Sequence, residues 1–171
     1  MKIVLCVSGA SGVSLGVMLY RELCKEADVS LVISDGAKKV FQYEIPHFSN
    51  DALDAPPSSG SYGADIVIVA PCSINTLSKI AHGISDTLTT RCAAVALKEG
   101  KKLILAPRES PLSPIALENM LKLSKLGVVI APPMYAEYSD NNDLDGLKKF
   151  IVGRWLDMIG IKNNLYKRWG E

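Results

Sequence analysis

Apolar residues recur along the chain in two alternating patterns. Short continuous apolar runs are typical of strands buried on both faces, and they cover residues 3–7, 29–33, 66–70, 103–106 and 128–131. Between these runs, apolar residues spaced three or four positions apart predict helices over 13–25, 74–81, 86–98, 114–127 and 143–159. A short helix is also expected over 37–43. This alternation predicts a three-layer α/β/α fold around a mostly parallel sheet of about six strands.

The length and composition fit one ordinary globular unit. The chain has 171 residues, of which 48% are apolar and 22% charged, so we expect a single α/β domain over residues 1–171. Residues 45–63 are rich in Pro, Ser and Gly and predict a loop-rich excursion. The formal net charge is only +1, which disfavours a general nucleic-acid binder.

The four cysteines show no CxxC spacing of the zinc or redox type. Buried, reduced thiols in a cytoplasmic protein are therefore expected. The first residues do not read as a signal peptide, since Ser8 to Gly12 continue directly into a helical pattern. The apolar run over 66–70 is too short to span a bilayer, so the protein is expected to have no membrane span.

Candidate chemistry concentrates where the predicted strands end, because open parallel sheets bind ligands at the carboxyl ends of their strands. The first such loop, Ser8 to Gly12, leaves a strand and enters a helix, an arrangement that suits a phosphate. It is neither GxGxxG nor a P-loop, and no acidic residue ends the second strand. A mononucleotide such as FMN is thus favoured over a dinucleotide, although the loop alone is equally consistent with a plain tight turn.

A second hydroxyl-rich loop follows the third buried run. Ser73, Asn75 and Thr76 supply polar groups at a predicted helix start, where simple helix capping is an alternative role for any one of them. The fourth strand ends in Arg108 and Glu109, which can bind an anion or form only a surface ion pair. The residues alone therefore predict an α/β domain that binds a mononucleotide or flavin, and they name no reaction.

Several longer stretches together resemble the UbiX/Pad1 family of flavin prenyltransferases, which have a Rossmann/flavodoxin-like fold. The matching features are SGASG (8–12), Glu44, PPSSGS (56–61), residues 71–99, residues 107–133, Tyr138, Arg154 and RWGE (168–171). The resemblance implies an enzyme that joins the dimethylallyl group of dimethylallyl phosphate to N5 and C6 of reduced FMN without a metal. It further implies a homododecamer with sites at subunit interfaces. The prenylated flavin would serve a UbiD-type decarboxylase, in quinone synthesis or in aromatic-acid breakdown.

The resemblance also implies roles for individual residues. FMN would be held by Gly9, Ala10, Ser11, Ser34, Ser73, Ile74, Asn75, Thr76 and Arg108. The allylic phosphate would be bound by Arg91, Lys98, Tyr138 and Arg154. Catalysis would involve Ser11 near the flavin N5, Glu44 and Glu109 in proton handling, and Lys98 at the leaving phosphate. Cations and a phenol suit a leaving phosphate.

One position departs from the family pattern. Many members carry a Trp shortly before the PPxSGS stretch, where its ring can stabilise an allyl cation, and Leu53 stands here instead. Tyr43, Tyr62 and Trp169 are candidate substitutes.

Three other functions remain alternatives. A flavin-dependent decarboxylase of cysteinyl peptides is disfavoured, because the middle segment offers only His47 as a base and residues 132–136 read Pro-Pro-Met-Tyr-Ala. A non-catalytic flavin carrier would not need a phosphate clamp. An NAD-dependent oxidoreductase lacks its glycine fingerprint.

Overall fold

The computed structural model describes residues 1–9, 12–38, 45–137 and 143–170. Its strands are Lys2–Val7 (β1), Asp28–Ile33 (β2), Phe48–Ser49 (β3), Ile66–Cys72 (β4), Lys102–Pro107 (β5) and Val129–Ile130 (β6). Its α-helices are Val13–Leu23 (α1), Asp35–Lys38 (α2), Ile74–Ala81 (α3), Leu88–Lys98 (α4), Pro114–Lys125 (α5) and Leu144–Met158 (α6). Two short 3-10 helices, Pro56–Ser58 and Gly60–Tyr62, precede β4.

The six strands form one sheet in the order β3-β2-β1-β4-β5-β6, and every neighbouring pair is parallel. This confirms the predicted fold class. The chain builds outward from β1 through β2 to β3 and then returns to place β4 on the other side of β1. The β1/β4 boundary is therefore the switch point, and the loops that follow these two strands face the crevice in which such sheets bind ligands.

Two apolar cores lie on opposite faces of the sheet. On one face, Leu19 of α1 and Trp155 of α6 pack against side chains of the sheet that include Leu5. On the other face, Leu77 of α3 and Cys92 of α4 belong to the second core. Helix α6 is tied to the sheet by its indole, since Trp155 Nε1 donates to the carbonyl of Ala131 at 3.1 Å. The helices thus form separate α1/α6 and α3/α4/α5 layers.

The element boundaries differ from the prediction where local chemistry intervenes. Strand β4 continues past Ala70 to Cys72. Its pairing with β5 is irregular between Val69 and Cys72, because Pro71 has no N–H to donate to the neighbouring strand. Helix α4 begins at Leu88 rather than at 86, since the Thr87 and Thr90 side chains form a reciprocal capping box.

The short strand β3 and helix α2 also depart from the expected pattern. β3 has only two residues and lay inside the predicted loop region. Helix α2 starts at Asp35, two residues before the predicted start, and the rest of the predicted 37–43 helix lies outside the described residues. None of the helices in the described ranges is long and apolar enough to cross a membrane.

Candidate functional site

The loops after β1 and β4 are joined by one buried hydroxyl. Ser8 is only 4% exposed, and its Oγ donates to the carbonyl of Pro71 at 3.1 Å. The amide of Ser73 donates back to the same Oγ at 2.8 Å. The two hydroxyl-rich loops are therefore neighbours at the switch point, as the sequence predicted from the carboxyl ends of the strands.

Helix α3 presents its N-terminus to this point. Ser73 is the N-cap, since its Oγ accepts from the amide of Thr76 at 3.2 Å and lies 2.9 Å from the Thr76 hydroxyl. Ile74 and Asn75 form the first turn, and Asn75 is exposed. The Ser73 and Thr76 side chains therefore have a capping role, while the helix N-terminus is of the kind that binds anions.

Gly9 keeps the backbone after β1 close to the loop after β2. A Cβ at Gly9 would lie 3.1 Å from Cα of Gly36, which is tighter than side chains normally pack, and 3.5 Å from Oγ of Ser34, which is an ordinary contact. Ser34 in turn accepts from the amide of Ala37 at 3.3 Å. This surface has little side-chain bulk and carries the Ser34 hydroxyl, so it leaves room for a ligand to approach the backbone.

Arg108 brings a cation to the same region. Its amide donates to the carbonyl of Cys72 at 3.2 Å, and its Cδ would lie 3.6 Å from a Cβ placed on Gly12. The neighbouring Glu109 is exposed and accepts from the amide of Ser110 at 3.1 Å. We refer to Gly9, Ser34, Ser73–Thr76 and Arg108 as the cradle.

A mainly apolar cavity of about 320 Å³ adjoins the cradle at Gly12. Its walls come from α1, the loop before residue 138 and α6, and they include Leu15, Tyr135, Leu144 and Leu147. Such a cavity can take the apolar part of a ligand whose phosphate is bound at the cradle.

Four of the predicted site residues fall outside the described residues, namely Ala10, Ser11, Glu44 and Tyr138. Their predicted roles therefore remain predictions.

The predicted phosphate-binding cations of α4 lie along its exposed side. Arg91 is in the first turn, and its Nε donates to the carbonyl of Ser58 at 3.1 Å. Lys98 is the last residue of α4 and pairs with the carboxylate of Glu99, whose pKa is lowered by that ammonium group. A Cβ at Gly60 would come within 3.1 Å of Lys98 Nζ. The turn over 56–61 therefore packs directly beside these two cations.

Arg154 lies on α6, on the other side of the sheet. Its Nη1 is 3.4 Å from Oδ2 of Asp157 and 3.5 Å from the hydroxyl of Tyr166. The α4 and α6 helices pack on opposite faces of the sheet. Within one copy, Lys98 and Arg154 therefore belong to different helical layers.

Lys98 is also distant from the cradle of its own chain. It ends α4 four residues before β5 begins at Lys102, so it lies near the amino ends of the strands. The cradle lies at their carboxyl ends. Within one copy, Lys98 and the cradle therefore lie toward opposite ends of the strands.

The structure also shows where Leu53 lies, which stands at the position of the family's Trp, and where its candidate substitutes Tyr62 and Trp169 lie. Leu53 is 46% exposed and Trp169 is 80% exposed. The hydroxyl of Tyr62 bonds to that of Ser30, and Lys2 Nζ lies 4.3 Å from the ring centroid. These contacts fix Tyr62 near the amino end of β1, away from the cradle of its own chain. Tyr43 lies outside the described residues.

Sequence reasoning missed two structural features near the predicted site residues. Ser8 was seen only as part of a loop, yet its burial at the end of an apolar strand is a signal that its hydroxyl has internal partners. The cluster that Asp157, Tyr166 and Arg168 form around Arg154 left no periodic pattern, since it joins the end of α6 to the irregular segment that follows.

Comparison with known proteins agrees with this architecture. The profile of the family described as Flavoprotein matches residues 1–155. The flavin prenyltransferase UbiX of Campylobacter jejuni is 45% identical over 99% of this chain and 98% of its own length. That of Methanocaldococcus jannaschii is 44% identical over 99% of both chains. This chain therefore belongs to the Flavoprotein family and, within it, to the UbiX flavin prenyltransferases.

Solved structures of similar proteins share the whole fold. A dodecameric FMN-dependent UbiX-like decarboxylase from Escherichia coli O157:H7 has a TM-score of 0.94 and 39% identity, covering 100% of both chains. A UbiX protein in complex with FMN and dimethylallyl pyrophosphate has a TM-score of 0.93 and 37% identity, covering 99% of this chain and 97% of its own. A PPC decarboxylase, at 24% identity and a TM-score of 0.66 over 78% of this chain and 82% of its own, shares only the fold. The predicted family resemblance is confirmed.

Proposed function

We propose that this protein transfers the dimethylallyl group of dimethylallyl phosphate to reduced FMN, with new bonds at N5 and C6. The observation that carries the proposal is the match, along 99% of the chain, to flavin prenyltransferases at 44–45% identity. The relative solved with FMN and dimethylallyl pyrophosphate supports FMN and a dimethylallyl donor, there in its pyrophosphate form.

FMN fits the cradle by the chemistry of its residues. The α3 N-terminus and Arg108 provide donors and positive charge for its phosphate, and Gly9 leaves room for close backbone approach. The apolar cavity at Gly12 suits an uncharged ring system. The Ser11 and Ala10 backbone would complete this surface.

The donor phosphate would be bound by Arg91, Lys98, Tyr138 and Arg154. Their positive charge and phenol stabilise the phosphate as the allylic C–O bond breaks and the phosphate leaves with the electron pair. When bound, reduced FMN supplies the electron-rich N5 and C6 that accept the group. Ser11 would lie near N5. Glu44, aided by Glu109, would move protons, since the bond to C6 requires one proton to add to the allyl double bond and one to leave C6.

The separation of Lys98 from Arg154 supports a shared site. Because these residues lie on opposite faces of the sheet, the proposal places donor sites at subunit interfaces in a homododecamer. The dodecameric relative from Escherichia coli supports that assembly. The product would pass to a UbiD-type decarboxylase, and the free buried thiols of Cys6, Cys72 and Cys92 favour a cytoplasmic location.

The test is anaerobic prenylation. The protein is loaded with FMN, reduced with dithionite and given dimethylallyl phosphate. The flavin is then extracted, and its mass is measured by mass spectrometry. One added dimethylallyl unit is expected. Lys98→Ala should lower kcat/KM for the donor about 10- to 100-fold, as expected for a lost hydrogen bond to a charged group. Lys101→Ala, nearby but outside the site, is the matched control.

Unchanged FMN with both the monophosphate and the pyrophosphate as donors would overturn the proposal. A protein that then still bound FMN would be better described as a flavin carrier. Decarboxylation of a cysteinyl peptide by the purified protein would instead favour the cysteine decarboxylase alternative.

A further inference from the structure

The segment after α6 turns back along that helix and is anchored on one carboxylate. Arg168 grips Asp157 with two nitrogens, Nη1 to Oδ2 at 3.1 Å and Nη2 to Oδ1 at 3.0 Å. Asn163 Nδ2 donates to Oδ1 at 3.0 Å, and the Tyr166 hydroxyl donates to Oδ2. Three residues of the terminal segment therefore converge on a single, largely buried acceptor of α6.

Arg154 uses the same two groups. Its Nη1 lies 3.4 Å from Asp157 Oδ2 and 3.5 Å from the Tyr166 hydroxyl. Asp157 is three positions further along the helix, on the same side. The guanidinium that we place at the donor phosphate is thus located by the carboxylate and the phenol that fix the terminal segment.

The Tyr166 ring is held closely enough to aim its hydroxyl. It packs edge-on against Phe150, with ring centroids 5.0 Å apart and an interplanar angle of 75°. It also lies over Gly153, where a Cβ would come within 2.5 Å of Tyr166 Cδ1. Glycine in a helix interior costs stability relative to alanine, and here its lack of a side chain is what admits the ring.

The charge around this cluster favours an anionic ligand. Arg154, Lys162 and Arg168 line a groove of about 310 Å³ together with Asp157. Burial opposes ionisation of Asp157, but hydrogen bonds from Arg168 and Tyr166 hold its pKa below the ordinary value. The groove therefore holds three cations and one carboxylate, and Arg168 already binds both oxygens of that carboxylate. The groove as a whole carries net positive charge.

We propose that Asp157 and Tyr166 are positioning residues for Arg154, and that the segment 163–168 is in this way part of the donor-binding site. The ligand they serve is an allylic phosphate ester. This inference rests on the proposed function, in which Arg154 binds the donor phosphate. Neither residue needs to touch the donor, because each acts by limiting the positions that the Arg154 guanidinium can take.

Tyr166→Phe is the sharpest variant, because it keeps the ring packed against Phe150 and Gly153 and removes only the hydroxyl. Donor binding is measured by calorimetry on protein loaded with oxidised FMN, which binds without transferring the prenyl group, and KM and kcat are measured with reduced FMN. We expect Kd and KM for dimethylallyl phosphate to rise roughly threefold to tenfold, kcat to fall because Arg154 also stabilises the leaving phosphate, and FMN affinity to stay unchanged. Asp157→Asn should act in the same direction. Asp145→Asn is the control, because Asp145 pairs with Lys149 on the same helix. It should leave Kd and KM for the donor unchanged.

Each outcome bears on a definite claim. In an Arg154→Ala background, Tyr166→Phe should have no further effect on donor affinity, since the two act through one guanidinium. A Tyr166→Phe variant with wild-type donor affinity would overturn the positioning role. An Asp157→Asn variant that is less thermally stable but binds the donor with wild-type affinity would overturn it too. A wild-type protein that binds the donor but transfers nothing would overturn the proposed function and leave the positioning role standing. Absence of donor binding in the wild type would overturn both.

Discussion

The Ser8 hydroxyl lies 2.8 Å from the Ser73 amide and accepts its hydrogen bond. This contact joins the end of β1 to the start of α3 across 65 positions of the chain. The same hydroxyl donates to the Pro71 carbonyl, which also accepts from the Ser8 amide at 3.3 Å, so Ser8 joins the two loops of the cradle through its side chain and its backbone. The geometry of the proposed phosphate site therefore depends on a residue that need not touch the ligand.

Ser8→Ala should weaken both the fold and the proposed flavin site. The change leaves the Ser73 amide without its partner, while the Pro71 carbonyl keeps the bond from the Ser8 amide at 3.3 Å. An unpaired buried group costs about 1–3 kcal/mol. We expect a lower free energy of unfolding and a higher Kd for FMN, measured by thermal unfolding and by flavin fluorescence titration. Ser124→Ala, whose hydroxyl donates to the Leu121 carbonyl at an exposed position, is the control. Wild-type FMN affinity in Ser8→Ala would contradict this role.

Mixed assemblies should restore activity that each parent variant lacks. If Lys98 and Arg154 come to one donor phosphate from different copies, a Lys98→Ala chain and an Arg154→Ala chain can together build intact sites. Random mixing in equal amounts should leave about one quarter of the sites intact. The measurement is prenylated FMN formed by co-expressed, doubly tagged assemblies, compared with mixed samples of the two parents purified separately. No gain in the co-expressed sample would argue that both residues come from a single copy.

The fold was largely predictable because it follows from local patterns. The parallel strands are continuous apolar runs, such as Ile3 to Val7, and helix α5 starts where Ser113 and Pro114 predicted it. The ends of the strands then identified the loops that form the cradle. Strand β3 was missed because a two-residue edge strand leaves no periodicity.

The candidate site was predictable only in part, because its residues are brought together by tertiary structure. The family resemblance identified Lys98 and Arg154, but their separation by the sheet is a property of the topology. The Asp157 cluster depends on a terminal segment that folds back over Gly153. The spacing of Asn163, Tyr166 and Arg168 does not predict that all three hydrogen-bond to the Asp157 carboxylate.

The thiols should differ sharply in reactivity. Cys6, Cys72 and Cys92 are buried, whereas Cys24 is exposed, so the expectation of buried thiols fails at Cys24. Burial raises the pKa of Cys72 to about 12, and the thiolate is the reactive form. Iodoacetamide at about pH 8 should label Cys24 alone in the native protein and all four thiols after denaturation. Mass spectrometry of tryptic peptides checks this, and native labelling of Cys72 would contradict it.

The stabilising effect of the Asp157 cluster should fade in acid. The pKa of Asp157 is lower in the folded protein than its ordinary value of 3.8, because hydrogen bonds from Arg168 and Tyr166 outweigh burial. A carboxyl with a depressed folded pKa contributes stability above its unfolded pKa and loses it as the pH falls through the folded value. Asp157→Asn should therefore unfold at a lower temperature than the wild type near neutrality, and the gap in Tm should narrow below about pH 4.

Asp145→Asn, at an exposed pair with Lys149, should show almost no gap at any pH, since such pairs contribute only about 0–1 kcal/mol. A Tm gap for Asp157→Asn that stays constant from neutral to acidic pH would show that the carboxylate's charge is not what anchors the terminal segment.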